Sequence, residues 1–475
     1  MPSEPASPAP KARFTTGSTM RHVAVMTAAG GMGLVAIFLV DFANLFYISL
    51  LGNPVLTAAV GYAGTVLYFH MSFSVGLMIA AVALASRALG AADRAKARQV
   101  STSALVLVTA VTGILTLISL PLIGPLLDLL GATGDARTYA AIYMWIVLPT
   151  TPFLGLVMCL IGVLRAVGDA RRSMYVTLLL GLVTAALDPL LIYVLGMGVT
   201  GAAIVAVIAR ILALAYALWA VIHVHNLVQR PRLADTMADL PALASIGLPA
   251  VLTNVATPVG NGFVTAEISA FGDHAVAGWT IVGRLIPVAF GVLFALSGAI
   301  GPIIGQNYGA HLFDRVRRTM TDAMIFTTLY TLAISAVLFL ARNEIAAAFG
   351  ASGEDAELVV FFCTFLSVTF IFSGGLFVAN AAFNNLGFPL LSTLFNWGRA
   401  TLGTFPFVWL GARLAGADGV LAGFALGGIP FGLIALFVCY RVIGRLGADP
   451  ESVQRSPVLR ALAAISWGRP APRHG

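Results

Sequence analysis

Two acidic residues, Asp41 and Asp188, stand inside long apolar stretches, in Val40-Asp41-Phe42 and Leu187-Asp188-Pro189. A carboxylate at the middle of a bilayer costs ~2.5–3.5 kcal/mol on insertion scales and is rarely idle. Each lies eight or nine residues before the outer end of its apolar run, roughly 12–14 Å beneath the surface at a helical rise of 1.5 Å. Two acids at one depth could share a polar pocket. Burial disfavours the charged form and a second carboxylate disfavours it further, so such a pair holds a proton more readily than in water. Thr184 is one helical turn before Asp188, on the same face, and its hydroxyl can donate to the carboxylate. Pro189 has no N–H, so the carbonyl of Ala185 loses its helical partner. A carboxylate, a hydroxyl and a free carbonyl could bind a proton, a hydronium or a sodium ion. The bland alternative is that each Asp only accepts hydrogen bonds and fixes helix packing.

Other polar groups in apolar runs are secondary candidates. Glu267 lies close enough to a span end to reach the interface. Arg210 and Arg284 are deeper, and each needs a carboxylate or carbonyl partner; Arg284 could also bar cations from part of a cavity. Tyr47, Tyr62, Tyr68, His70, Met71 and Trp279 could line a pocket for flat lipophilic cations, although aromatics at helical spacing also serve packing. His70 could relay protons. Gly196-Met197-Gly198-Val199-Thr200-Gly201 fits a dinucleotide fingerprint, but it lies in a tight turn between two apolar runs, with no strand before it. His223 and His225 find no Cys or carboxylate nearby in the sequence to complete a metal site. No phosphate-binding loop and no hydrolase or zinc-protease motif is present, so no cofactor is expected and ATP drive and enzyme chemistry have no support.

The elements that position these residues follow from composition. The 475 residues are 59% hydrophobic and 10% charged, against about 25% charged in a soluble chain. Apolar runs of 18 or more residues recur, each able to cross a ~30 Å hydrocarbon core, and such backbones must be helical. Breaks at Gly, Pro and charge clusters place spans at 20–50, 54–86, 98–125, 137–164, 172–196, 199–225, 242–271, 274–306, 317–341, 355–386, 389–414 and 417–442. Loops after the even-numbered spans are basic (Arg87 to Arg98, Arg165 to Arg172, Arg230 and Arg232, Arg315 to Arg318), with only the loop before span 11 weakly marked. The odd-numbered loops carry one Arg or none. Basic loops face the cytoplasm, so both termini are expected there, in a multi-pass protein of the cell (inner) membrane. The net charge of +7 is explained by that orientation rather than by nucleic acid. The three cysteines lie inside apolar runs as ordinary thiols.

The two halves repeat in one order and at a nearly constant offset. Arg87 to Ala91 matches the stretch ending Asn307-Tyr308-Gly309-Ala310, Gly168 matches Gly387, Pro189 matches Pro406 and Gly201 matches Gly419. Six spans per half make parallel repeats about an axis along the membrane normal. The expected organisation is a disordered tail (1–19), a six-helix lobe (20–225), a linker (226–241), a second six-helix lobe (242–445) and a second tail (446–475). Two such halves rocking about a shared path suit alternating access better than a channel.

Taken together, Val40-Asp41, the run from Gly162 to Asp169, Leu187-Asp188-Pro189 with Gly201-Ala202-Ala203, Gly247-Leu248-Pro249 and the run from Gly305 to Ala310 resemble the multidrug and toxic compound extrusion (MATE) family over about residues 22–445. The resemblance implies a MATE-like fold: an all-α polytopic membrane protein with twelve transmembrane helices as two parallel six-helix repeats. It also implies export of cationic or amphipathic compounds in exchange for protons or sodium, by a chain expected to act as a monomer among membrane lipids. There are departures. Thr184 stands where the family often has Asn, Ala29 where its first span has proline, and Thr257 where one branch has Glu. Asn380, Asn384 and Asn385 stand near that branch's other Asp. These point to the DinF-like branch, with coupling confined to the first half. A lipid-linked saccharide flippase would prefer a strongly cationic cavity, a membrane-embedded enzyme or channel would need a catalytic set or a filter loop, and an exporter of an endogenous metabolite is a further alternative.

Overall fold

The computed structural model describes residues 12–50 and 54–448, without the side chains of 38–50, 54 and 57. Among them twelve spans can be traced: α1 Thr19–Leu50, α2 Pro54–Gly90, α3 Arg94–Ser119, α4 Gly134–Ala166, α5 Ala170–Val194, α6 Gly198–Val224, α7 Leu233–Ser269, α8 Asp273–Gly309, α9 Phe313–Leu340, α10 Glu354–Leu386, α11 389–414 and α12 417–448. The last two share the 60 residues from Pro389 to Ala448, about 90 Å if continuous and far more than one crossing. A turn at 401–404 bends α11, and non-helical Ala415 and Gly416 divide it from α12. No strand occurs among the described residues, since every backbone polar group in hydrocarbon must be satisfied within its own segment. The linker expected to run to residue 241 is shorter. The polar stretch from Leu233 is already helical and opens α7, where Asp235 favours the first turn and Asp239 accepts from Lys96 at 2.7 Å.

The repeat extends to turns and breaks. The short helices Ile123–Leu129 and Arg342–Ala348 follow the third span of each half. The 3₁₀ breaks Leu148–Thr150 in α4 and Ser367–Thr369 in α10 correspond. Positive φ recurs at Ala92 and His311, at Gly131 and Gly350, at Gly134 and Gly353, and at Gly168 and Gly387. All four pairs keep the spacing that relates the two halves of the sequence, so the two lobes are one backbone design used twice.

The lobes meet at the end of the bundle that carries the basic loops. There Gly30 and Gly31 of α1 lie against Ala295 and Val292 of α8, and Gly76 of α2 lies against Gly247 and Val251 of α7. Small residues let these helices approach closely. Followed toward the opposite end, the same faces become open. Val288, Arg284 and Thr280 continue the Val292 face of α8 in one-turn steps, and all are exposed. Phe69, two turns from Gly76, and Thr65 are exposed on α2, as are Pro258 and Gly262 on α7. Among the described residues every hydrogen bond between the lobes lies at the basic end. The result is a cleft closed at the basic end and splayed at the other.

Candidate functional site

The closed end is built on the repeat. A Cβ on Gly90 would sit 2.0 Å from the Gln306 carbonyl oxygen, and a Cβ on Gly309 would sit 2.0 Å from that of Arg87. Gly90 and Gly309 are repeat mates, as are Arg87 and Gln306, so the pseudo-two-fold axis passes through this contact. Neither glycine has positive φ; each is needed for space. Buried Arg87 donates from Nε to the Asn385 carbonyl (2.8 Å) and from Nη2 to that of Asn384 (2.9 Å). Tyr308 lies under the Arg87 guanidinium. Arg87, read from the sequence as an orientation signal, therefore joins the lobes. Its place in the repeated Arg87-x-x-Gly90 and Gln306-x-x-Gly309 pattern was the available hint.

Residues 12–18, expected within a disordered tail, are instead part of this joint. Phe14 is 1% exposed. Its N–H donates to Gln306 Oε1 (2.9 Å), and its carbonyl accepts from Arg315 (2.9 Å) and Asn307 (3.2 Å). Gln306 in turn donates to the Ala166 carbonyl at 2.7 Å, and Arg13 to the Gly168 carbonyl at 2.8 Å. Thr19 donates to Asp322. A buried aromatic with both backbone groups satisfied orders the strap, which composition alone could not reveal. The remainder of the two expected tails, 1–11 and 449–475, lies outside the described residues.

Asp188 is 1% exposed, at the end of the regular part of α5. Pro189 follows, and the helix continues as a π turn, Leu190–Val194, so the break is a widening of the helix rather than its end. The Thr184 hydroxyl donates to the Leu180 carbonyl at 2.9 Å. Its one proton is thereby committed, which corrects the expected donation to Asp188. Asp41 and Tyr47 fall within α1, but their side chains lie outside the described residues.

The expected aromatic set is scattered. Tyr62 packs on the cluster of Ala59, Leu127 and Met144 within the first lobe. His70 is buried, its Nε2 3.0 Å from Ser119 Oγ on α3. Tyr68 and Met71 are exposed three residues apart on one side of α2, and Phe69, which residue types alone did not single out, lies on the cleft face. Trp279 belongs to the second lobe, where its Nε1–H donates to Thr265. There it lines a narrow cavity with Arg399, Phe370 and Phe424. Arg399, likewise not singled out by its sequence context, has no carboxylate partner among the described residues and lies 5.8 Å from the Phe424 ring centroid. Arg284 is exposed on the cleft face, and Glu267 is half-buried near the open end of α7.

Arg210 is held by α4. The 3₁₀ break at Leu148–Thr150 sends the Thr151 N–H to Leu148. The Val147 carbonyl is left to accept from Arg210 Nη1 at 3.0 Å, and Thr150 Oγ1 accepts at 2.7 Å. At the basic end, folding brings Asp169 to His225, with Nε2 2.8 Å from Oδ2, supplying the carboxylate that no sequence neighbour offered. Burial alone would raise the Asp169 carboxyl, but hydrogen bonds from His225 and Arg172 outweigh it and hold the group well below the usual carboxylate range. No group of three or more metal-ligating side chains occurs among the described residues.

Comparison with known proteins fits this architecture. The MatE family model matches residues 31–190 and 249–410, one segment in each lobe. An FAD transporter of Shewanella oneidensis is 26% identical over 417 residues, covering 86% of this chain and 92% of that protein. The multidrug export protein MepA of Staphylococcus haemolyticus is 23% identical, covering 86% and 91%. A solved multidrug resistance MATE family transporter, described as outward-facing, superposes with a TM-score of 0.87 at 21% identity, covering 94% of this chain and 100% of that one. With two repeated six-helix lobes around a cleft and a family match spanning both, the chain belongs to the MATE family and is a multi-pass membrane transporter, not an enzyme.

Proposed function

We propose that the chain is a secondary active exporter that takes up protons and expels cationic or amphipathic organic compounds by alternating access, working as a monomer. The basic end faces the cytoplasm of a cell (inner) membrane, which makes the described state outward-open. The observation that carries the reading is the cleft closed at one end only, beside a lobe that buries Asp188 in a spanning helix. Protonation removes the charge of Asp188 and turns an acceptor into a donor. A change of that kind alters which hydrogen bonds the widened end of α5 can keep, and so the shape of the first lobe's pocket. Asp41 is the proposed partner. Sodium in place of the proton is the alternative coupling ion.

The test is efflux from proteoliposomes under an imposed pH gradient or an imposed sodium gradient. Asp188→Asn should lose both efflux and proton uptake under the pH gradient. Parent-like coupled transport by Asp188→Asn overturns the assignment of the carboxylate, and efflux driven by sodium alone overturns the proton.

A second reading of the substrate rests on Arg399. A guanidinium with no carboxylate partner among the described residues, beside Trp279, Phe370 and Phe424, has the chemistry to attract an anionic flat group such as a flavin, at a cavity that in this state admits only a water-sized group and must widen to take one. The resemblance to an FAD transporter supports it. Competition of a cationic dye against a flavin nucleotide, in the parent and in Arg399→Gln, separates the two readings.

A further inference from the structure

A cavity of about 780 Å³ opens at the basic end, between the 12–18 strap and the first turns of α1 and α5. Four guanidinium groups line it, Arg13, Arg21, Arg171 and Arg172, against one carboxylate, Asp169. Arg172 is paired with Asp169, and Arg13 is bonded to Gly168. The side chains of Arg21 and Arg171 have no hydrogen-bond or ion-pair partner among the described residues; Arg21 is exposed and Arg171 is exposed. Arg21 lies in the first turn of α1 and Arg171 in the first turn of α5, where each apolar span begins. Val25, one turn further along α1, also lines the cavity and is 52% exposed; Met32, two turns beyond, is 57% exposed. A positive chamber therefore leads onto an apolar stripe that runs into the membrane.

We infer that this cavity binds the phosphate of an anionic glycerophospholipid, with Arg21 and Arg171 on the phosphate and an acyl chain along Val25 and Met32. A basic pocket between spanning helices on the cytoplasmic side is suited to such a headgroup. The site has a conformational consequence. One wall is the strap whose Phe14 backbone is bonded to Gln306, Asn307 and Arg315 of the other lobe. A lipid phosphate held by Arg21 and Arg171 lowers the excess positive charge of the chamber that Arg13 and Arg172 also line, holds the strap down and favours the state closed at the basic end. This consequence rests on the alternating-access reading; binding of the lipid does not.

The full-length protein is placed in nanodiscs of phosphatidylcholine with or without phosphatidylglycerol. Spin labels at Ala95→Cys and Arg318→Cys, both exposed, report the separation of the lobes at the basic end. The three native cysteines are buried and unpaired, so they do not compete for label. Two arginine–phosphate contacts predict a tenfold to roughly thirtyfold rise in the closed-to-open ratio with phosphatidylglycerol. Native mass spectrometry should show a retained phosphatidylglycerol. R21Q/R171Q should lose both effects while unfolding like the parent in neutral lipid, and R21K/R171K should keep part of the shift. An equal response in parent and R21Q/R171Q, or loss of the response in R21K/R171K, overturns the site. Inorganic phosphate reproducing the shift in neutral lipid overturns the lipid assignment. Retained lipid without a shift overturns the coupling to the strap, and leaves alternating access to be judged by transport.

Discussion

Adding one methyl group at Gly90 should open the basic end of the transporter. A Cβ there would lie 2.0 Å from the Gln306 carbonyl oxygen, where ordinary contact begins at 3.4 Å. The three atoms it would meet, the O, C and Cα of Gln306, are all backbone, so no side chain can swing away; the lobes must separate until that overlap, more than an ångström deep, is relieved. The Arg87 bonds to Asn385 and Asn384, at 2.8 and 2.9 Å, then stretch beyond hydrogen-bonding range. Hydrogen bonds to charged groups are worth ~1.5–3 kcal/mol each, so losing both costs about 3–6 kcal/mol of the closed state. A shift of that size changes a two-state ratio by about two to four orders of magnitude. Helix propensity points the other way, because Ala is favoured over Gly by about 1 kcal/mol in a helix. The signs separate the explanations: Gly90→Ala should leave global stability intact or raised while the Ala95–Arg318 label distance lengthens and export falls. Gly113→Ala on α3, where a Cβ meets nothing within 4 Å, is the control. A Gly90→Ala protein with the parent's distance distribution and export rate would show that the glycine contact does not hold the lobes together.

Three further outcomes follow from the same contacts. Phe14→Ala removes a fully buried aromatic, a change worth about 3–5 kcal/mol, and should shift the label distance toward the open form without touching any spanning helix. Arg210→Met leaves the Val147 carbonyl short of a charged donor, a loss of about 1.5–3 kcal/mol; it should lower the Tm in detergent with the lobe equilibrium unchanged, and an altered distance distribution would contradict this. Because the Asp169 carboxyl is held below its ordinary value, its stabilisation is present above that ordinary value, near pH 4, and is lost as pH falls through the lower folded-state value. In a His225→Gln background, which keeps a donor and removes a titrating partner, Asp169→Asn should lower the Tm by a constant amount between neutrality and about pH 5, with the difference vanishing only in stronger acid.

Much of this protein is legible in one dimension because the bilayer imposes a one-dimensional rule. Long apolar runs must be helices, basic loops must alternate, and a repeated chain must build a repeated lobe, so spans, halves and the placing of Asp188 inside a span can be read from residue types. The Arg87 and Gln306 patterns were visible as a repeat, but their meeting across the axis was not, since two positions in opposite halves of the chain touch only after both lobes fold. The strap at Phe14 was hidden for a related reason. Pro, Ser and Ala around it signal disorder, and only distant partners in the second lobe satisfy its backbone. The Thr184 proton went to Leu180, a choice made by local geometry that spacing on a helix face leaves open. Residue order alone thus set the crossing pattern, because the solvent around each helix dictates it. Which end of the cleft is closed emerged only on folding, because it depends on sub-ångström clearances between helices far apart in the chain.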